Sequence, residues 1–193
     1  SGNSGLLVSS LTAFENYQRN EARTWEHQAL TRARVVAGGA ALTTQFEQLR
    51  HSILQIPRDP QTLKADVISM REKMRTSLGS KGSEAERASQ FHLKQDAGGI
   101  VDIEFMVQFS VLAWAQEMPQ LCRWSDNIRI LESLLESGRL GAEEVAQLVA
   151  AYKDYRSAGH RLVLQRLPGQ VSATEFSAHR DNVSRIWAAL FEC

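Results

Sequence analysis

The chain has no excess of charge of either sign and no long apolar run. Its 193 residues hold 22 basic and 22 acidic side chains, so no global field attracts nucleic acid or a membrane, and any anion site is local. No run has the length of a transmembrane helix, and no charged-then-apolar leader begins the chain. We therefore expect neither nucleic acid nor a membrane as a partner.

Cysteine is scarce as well, and the familiar signatures of complete active sites are missing. Cys122 and Cys193 lie far apart without the spacing of metal ligands, so we expect reduced thiols in a cytoplasmic protein and no metal site. A Walker A loop, a dinucleotide fingerprint and a nucleophile elbow are absent. So is the Asp-x-Asp pair after a strand that a two-metal phosphoryl-transfer centre uses. We predict no catalytic residue in this chain.

Helical periodicity dominates what is present, with 43% hydrophobic residues to form a core. The pattern predicts an all-α fold, a bundle-like assembly of helices. Segment 79–90 is polar and aperiodic, which predicts a mobile loop, and residues 91–94 form a short extended piece. Ser125 is the expected N-cap of the helix that follows it. We expect helices over about residues 11–18, 22–37, 41–55, 62–78, 100–117, 126–137, 142–166 and 174–191.

A lysine and a glycine pair stand directly ahead of the most apolar predicted helix. Gly98 and Gly99 have no β-carbon, so a ligand or another backbone can approach the helix start closely. Helix starts expose N–H groups and partial positive charge, which suits phosphate, and the Lys94 amine could reach the same anion. The other interpretation is a tight glycine turn without a ligand. The spacing alone does not decide between them.

Two carboxylates follow on that helix. Asp102 falls in its first turn, and Glu104 projects to nearly the opposite side because successive helical residues are about 100° apart. Glu104 and Gln108 share a face at the i, i+4 spacing. Carboxylates are seldom buried without partners. We therefore expect two different roles: one carboxylate orients Lys94 or an arginine, and the other meets substrate or bridges to a neighbouring helix.

A second group of residues lies between positions 25 and 34. Trp25, Gln28 and Arg32 share one stripe at helical pitch. An arginine in that apolar setting needs an anionic partner. That partner is either a ligand carboxylate or phosphate held in fork geometry, or, as the residues favour, Asp102 or Glu104 in the core.

Two further sets of cations have alternative interpretations. Arg71 and Arg75 flank one margin of an apolar stripe at i, i+4, where two like charges repel and a shared anion is attractive. A solvated face with snorkelling side chains is the commoner explanation. His160 and Arg161 close a long helix, where a lone histidine is typically structural and a cation is favourable.

At these residues the chain resembles the helical domain of bacterial glutamate–ammonia-ligase adenylyltransferases, which adenylylate and deadenylylate glutamine synthetase. The first motif is similar to that of the C-terminal, adenylylating half of such enzymes. The resemblance covers nearly the whole chain, and the motifs that carry it are Lys94-x-x-x-Gly98-Gly99-Ile-Val-Asp102-Ile-Glu104-Phe-x-x-Gln108, Trp25-Glu26-x-Gln28-Ala29-Leu30-x-Arg32-Ala-Arg34, Arg71-x-Lys73-Met-Arg75 and His160-Arg161-Leu-x-Leu-Gln165.

The resemblance implies a helical domain over residues 10–193, joined by a linker at 1–9 to an upstream nucleotidyltransferase domain that holds most of the ATP and Mg²⁺. Glutamine synthetase and the signal protein PII are the implied partners. The implied nucleotide-binding candidates are Lys94, Gly98, Gly99, Asp102, Glu104, Arg71 and Arg75. The residues expected to be structural or to orient the site are Trp25, Arg32, Gln108, His160 and Arg161.

Two alternatives to this interpretation remain open. The chain could be a regulatory interaction module that binds PII or glutamine synthetase without touching the nucleotide. The sister family, the PII uridylyltransferases, carries a similar glycine–acid motif. The motifs around Trp25 and His160 favour the adenylyltransferase.

Overall fold

A computed structural model describes residues 8–191 and confirms the all-α prediction. The helices are α1 Leu11–Asn20, α2 Thr24–Thr31, α3 Ala40–Leu54, α4 Pro60–Leu78, α5 Glu84–Ser89, α6 Ile100–Trp114, α7 Asn127–Glu136, α8 Ala142–Leu164 and α9 Ser177–Phe191, with a 3₁₀ turn at Pro119–Cys122. Two short antiparallel strands, β1 Gln90–His92 and β2 Gln170–Ser172, pair with Phe91 opposite Val171. Within the described residues, no helix is both long and apolar enough to span a bilayer.

Helix α6 is the axis of the fold because it is apolar on nearly every side. Helices α2, α4, α7, α8 and α9 all pack against it. Ile103, Val107 and Val111 are completely buried along its length. The strand pair lies just before its first turn, where the Leu93 N–H donates to the Gly169 carbonyl over 3.0 Å. The start of α6 is thereby tied to the connection between α8 and α9.

Helix α2 ends at Thr31, six residues before the predicted end. The buried Arg50 of α3 explains the difference. Its guanidinium donates to the carbonyls of Leu30 (3.1 Å) and Thr31 (2.6 Å), which would otherwise accept from the next helical turn. Arg58 caps the end of α3 in the same way, because its guanidinium donates to the Ile53 and Leu54 carbonyls. Burial lowers the pKa of Arg58 to about 10, so it stays charged at neutral pH.

Two smaller predictions also differ from the structure. The predicted loop at 79–90 contains the short helix α5, which begins with a capping box between Ser83 and Glu86; mobility of this segment stays a prediction. The N-cap of α7 is Asp126 rather than Ser125, because the Asp126 carboxylate accepts from the N–H groups of Ile128 and Arg129. The Ser125 carbonyl instead accepts from Arg32, as described below.

Candidate functional site

The N–H groups at the start of α6 already have acceptors within the chain. The Gly98 N–H donates to Asp102 Oδ2 over 2.7 Å, and that of Gly99 donates to the Asp96 carbonyl. The N–H groups of Ile100 and Val101 donate to the carbonyls of Leu93 and Lys94. A phosphate at this helix start would have to displace these bonds, so the geometry gives the predicted helix-terminus anion site no free donor among them.

The glycine pair has a packing reason that needs no ligand. Gly98 has a φ of +79°, and a β-carbon there would lie 2.7 Å from the Arg180 carbonyl oxygen of α9. A β-carbon on Gly99 would lie 2.8 Å from the Leu93 carbonyl oxygen. The close approach is therefore made by α9 and by the preceding loop. This is the glycine-turn interpretation of the motif.

Asp102 lies in the core and binds two arginines of α4. Its Oδ1 accepts from Arg71 Nε at 2.5 Å and from Arg75 Nη2 at 3.4 Å. Arg71 and Asp102 are both almost fully buried, and Arg71 also donates to the Gln95 carbonyl. Burial lowers the pKa of Arg71, although the Asp102 charge opposes that shift. The anion that Arg71 and Arg75 share is thus a carboxylate of the chain itself.

Asp96 fixes the other side of the same loop. Its carboxylate accepts from the N–H and hydroxyl of Ser80 at 2.8 and 2.6 Å, and from the His92 N–H at 2.7 Å. Burial raises the pKa of Asp96, but these three hydrogen bonds outweigh it and the net shift is downward. The residues from 92 to 102 form one hydrogen-bonded loop, which we call the Gly98 loop.

Glu104 lies on the other side of α6 from Asp102 and borders an open cleft of about 540 Å³, which we call the Glu104 cleft. Its Oε1 lies 3.3 Å from Arg32 Nη1 and 3.5 Å from the Tyr152 hydroxyl. Arg32 also donates to the Ser125 carbonyl over 3.0 Å. Arginine and carboxylate are each partly exposed, so the pair bridges α2 to α6 while remaining open to solvent.

The Glu104 cleft is rich in cations. Arg32, Lys94 and Arg156 line it together with His92 and His160, and Glu104 is the one carboxylate among its lining residues. Lys94 and Arg156 are exposed. Within the described residues the Lys94 amine has no hydrogen-bond or ion-pair partner. The cleft therefore has positive charge that no carboxylate neutralises and that can attract an anionic ligand.

An apolar and aromatic wall completes the Glu104 cleft. Ile100, Val163, Tyr152 and Tyr155 contribute to it. The buried Tyr155 hydroxyl has no hydrogen-bond partner among the described residues, and burial raises its pKa. It is therefore a protonated donor at neutral pH. An apolar wall with a few convergent polar groups is typical of small-molecule sites, and the cations suit an anionic ligand.

The other predicted site residues have local partners or lie apart. Gln108 accepts a hydrogen bond from Gln28 at 3.1 Å, again joining α6 to α2. Trp25 is 48% exposed and lines a separate surface groove with Met70. Arg161 donates to the Ser157 hydroxyl over 2.9 Å. Arg75 lines a different cleft, to which we return below.

Among the residues of the Glu104 cleft that the sequence did not single out are three with hydrogen-bonding side chains: Tyr152, Tyr155 and Arg156. One signal could have found two of them. Tyr152 and Arg156 stand eight and four residues before His160, which places all three on one face of α8. Among the described residues, no group of three or more His, Cys, Asp or Glu side chains is placed to hold a metal ion.

Two family models match this chain. The model described as glutamate-ammonia ligase adenylyltransferase matches residues 1–49. The model described as GlnD PII-uridylyltransferase matches residues 68–170, more than half of the chain. Both descriptions name nucleotidyltransferases. The helical chain is thus a segment from this class of enzyme.

Three curated relatives narrow the class. Each is a bifunctional glutamine synthetase adenylyltransferase/adenylyl-removing enzyme: one from Pseudomonas syringae pv. tomato is 54% identical over 98% of this chain, one from Pseudomonas aeruginosa 52% over 98%, and one from Hahella chejuensis 50% over 99%. The chain belongs to the glutamine synthetase adenylyltransferase family. It spans about 20% of the length of these relatives.

Proposed function

We propose that this chain is the helical domain of the adenylylating half of such an enzyme and that its Glu104 cleft forms one wall of the ATP site. In this proposal residues 1–9, of which 1–7 lie outside the described residues, link it to a catalytic domain upstream. The whole enzyme moves AMP from ATP to a tyrosine hydroxyl of glutamine synthetase, by in-line attack at the α-phosphate with release of pyrophosphate. Mg²⁺, held mainly by upstream carboxylates, supplies charge neutralisation when bound.

The single observation that carries this proposal is the composition of the Glu104 cleft. It brings together Arg32, Lys94, Glu104 and His160, which come from three of the motifs that the sequence singled out. Lys94 and Arg156 supply positive charge for the phosphates. Glu104 holds Arg32 in place rather than touching the nucleotide, because its oxygen is already within 3.3 Å of that guanidinium.

The test is AMP transfer to glutamine synthetase by the full-length enzyme. Lys94→Ala removes an exposed, unpartnered amine, so the fold should be unaffected. We expect kcat/KM for ATP to fall at least ~30-fold, which corresponds to about 2 kcal/mol of transition-state stabilisation. Lys73→Ala, at an exposed lysine outside the Glu104 cleft, is the matched control and should retain parental transfer. Equal activity of the two variants would remove the Glu104 cleft from the ATP site.

A second candidate function, docking of glutamine synthetase or PII, is supported by one exposed apolar patch. Val163 is 72%, Leu164 84% and Leu167 52% exposed at the end of α8, and Val163 also lines the Glu104 cleft. An apolar patch of this kind suits a protein contact. We expect Leu164→Asp to raise the KM for glutamine synthetase while leaving the KM for ATP unchanged. A change in neither constant would remove this patch from docking.

The chain by itself is expected to be catalytically inert. It would then contribute a wall and a docking surface while the upstream domain supplies the reaction centre. Incubating the purified chain with ATP, Mg²⁺ and glutamine synthetase checks this directly. Labelling of glutamine synthetase with AMP by the chain alone would contradict the division of labour proposed here.

A further inference from the structure

We infer that a second cleft of this chain, lined by none of the residues of the Glu104 cleft, binds the phosphate groups of a small polyanion. Four cations from four different elements line it: Arg75 of α4, Lys81 of the following turn, Arg87 of α5 and Arg180 of α9. We call it the Arg180 cleft. Its volume is about 470 Å³, and Asp96 is its one lining carboxylate. This inference does not rest on the proposed function.

The carboxylates near these cations are already occupied. Asp96 accepts three hydrogen bonds from Ser80 and His92. Glu86, next to the cleft at Gly82, is held by the N–H and hydroxyl of Ser83 in the capping box. Within residues 8–191, neither carboxylate lies within 4.0 Å of a charged nitrogen of a lining cation. In a chain of zero net charge, the Arg180 cleft is therefore a local concentration of positive charge.

Two of the arginines are held in place with much of their hydrogen-bonding capacity unused. The Arg180 guanidinium lies 4.3 Å from the centre of the Phe91 ring and donates to the Ala173 carbonyl over 3.2 Å. Arg75 reaches Asp102 Oδ1 only at 3.4 Å. The Nε atoms of Arg75 and Arg180 are buried and have no acceptor in the part of the chain described here. Charged donors without acceptors are costly, and an oxyanion with several oxygens supplies acceptors to more than one guanidinium.

The lining of the Arg180 cleft favours phosphate over a complete nucleotide. It contains Gly79, Gly82 and Ala97 beside the polar and charged residues, but no aromatic side chain. A base would find no stacking surface there, whereas the aromatic wall of the Glu104 cleft offers one. The expected ligand is a compact molecule that carries two or more phosphate groups.

The experiment is calorimetric titration of the purified chain with inorganic tripolyphosphate, without divalent cations, at low and at physiological salt. The test variant is Lys81→Gln with Arg87→Gln, since both side chains are exposed. The matched control is Lys73→Gln with Lys153→Gln, which removes two exposed charges outside both clefts. We expect the parent to bind, the test variant to lose at least ~10-fold in affinity, and the control to stay within ~2-fold. Circular dichroism verifies that each variant folds.

Further outcomes support or overturn the proposal. No binding by the parent at millimolar tripolyphosphate overturns it, and so does an equal loss in both double variants, since that would indicate diffuse attraction to the whole surface. Lys94→Ala should leave tripolyphosphate affinity unchanged; if it alone abolishes binding, the ligand occupies the Glu104 cleft and the proposal fails. ATP as a second titrant distinguishes free polyphosphate from a nucleotide. Binding of ATP without any binding of tripolyphosphate overturns the inference, and tighter binding of tripolyphosphate than of ATP supports it.

Discussion

Asp102 and Glu104 are two residues apart on one helix, yet their surroundings are opposite. Asp102 is 1% exposed and is bound by two arginines and by the Gly98 N–H. Glu104 is partly exposed at the edge of a cleft, with a looser pair to Arg32. The difference follows from helical geometry, which turns the two side chains roughly 200° apart. One motif thus contains a residue that holds the fold together and a residue that borders a site.

The sharpest way to break this comparison is to remove the buried carboxylate. Asp102→Ala leaves the Arg71 guanidinium buried without a counter-charge, and we expect the free energy of unfolding to fall by about 3–5 kcal/mol. Glu104→Ala should cost less than about 1 kcal/mol, because its pair is partly solvated. Urea unfolding of both variants measures the difference. Equal losses of unfolding free energy would mean that the two carboxylates contribute equally to stability, contrary to this prediction.

A second change tests whether α9 is the reason for glycine at position 98. Gly98 and Gly138 both have positive φ, +79° and +69°, but a β-carbon meets a backbone carbonyl only at Gly98. We expect Gly138→Ala to cost about 1 kcal/mol from backbone strain. Gly98→Ala should cost at least ~1 kcal/mol more, since overpacking adds to that strain. Thermal or urea unfolding gives both changes in unfolding free energy. Similar changes would show that the close contact between Gly98 and α9 does not affect stability.

The smallest expected effect concerns pH and the other carboxylate of the Gly98 loop. The pKa of Asp96 is lowered in the folded chain from its ordinary value of 3.8. The ionised group therefore adds stability above that value, and the contribution disappears as pH falls through the folded-state pKa. Asp96→Asn should flatten the dependence of unfolding free energy on pH below about 4. Asp181→Asn removes an exposed carboxylate of α9 and serves as the control. If the unfolding free energy of the Asp96 variant depends on acidic pH as it does in the parent, the lowered pKa of Asp96 is refuted.

Much of the helical framework follows from local pattern, whereas the ends of helices often do not. The apolar length of α6 and the proline at the start of α4 are visible in the sequence. The end of α2 is not, because the side chain that takes its last carbonyls comes from α3. The six residues of α5 are too few to show a period, so only the capping box reveals that helix.

The candidate site divides in the same way. Helical pitch already places Asp102 and Glu104 on different sides of the helix. It also places Arg32 on an apolar stripe, where its charge requires an anionic partner. Helical pitch does not reveal whether a ligand or another part of the protein approaches Gly98. The backbone that does so belongs to α9, which lies far along the chain. Tertiary packing brings Tyr155 to the Glu104 cleft and Arg180 to the Arg180 cleft, and neither residue belongs to a recognisable motif.

The strand pair and the contact between Gly98 and α9 also constrain the order of events during synthesis. The segment ahead of α6 leaves the ribosome well before β2 and Arg180 are made, so the Gly98 loop can contact α4 early but lacks β2 and α9 until these are translated. The Arg180 cleft is therefore completed only when α9 emerges, whereas the residues that line the Glu104 cleft all precede β2. A nascent chain halted before β2 would carry every motif residue and still lack the α9 side of the Arg180 cleft.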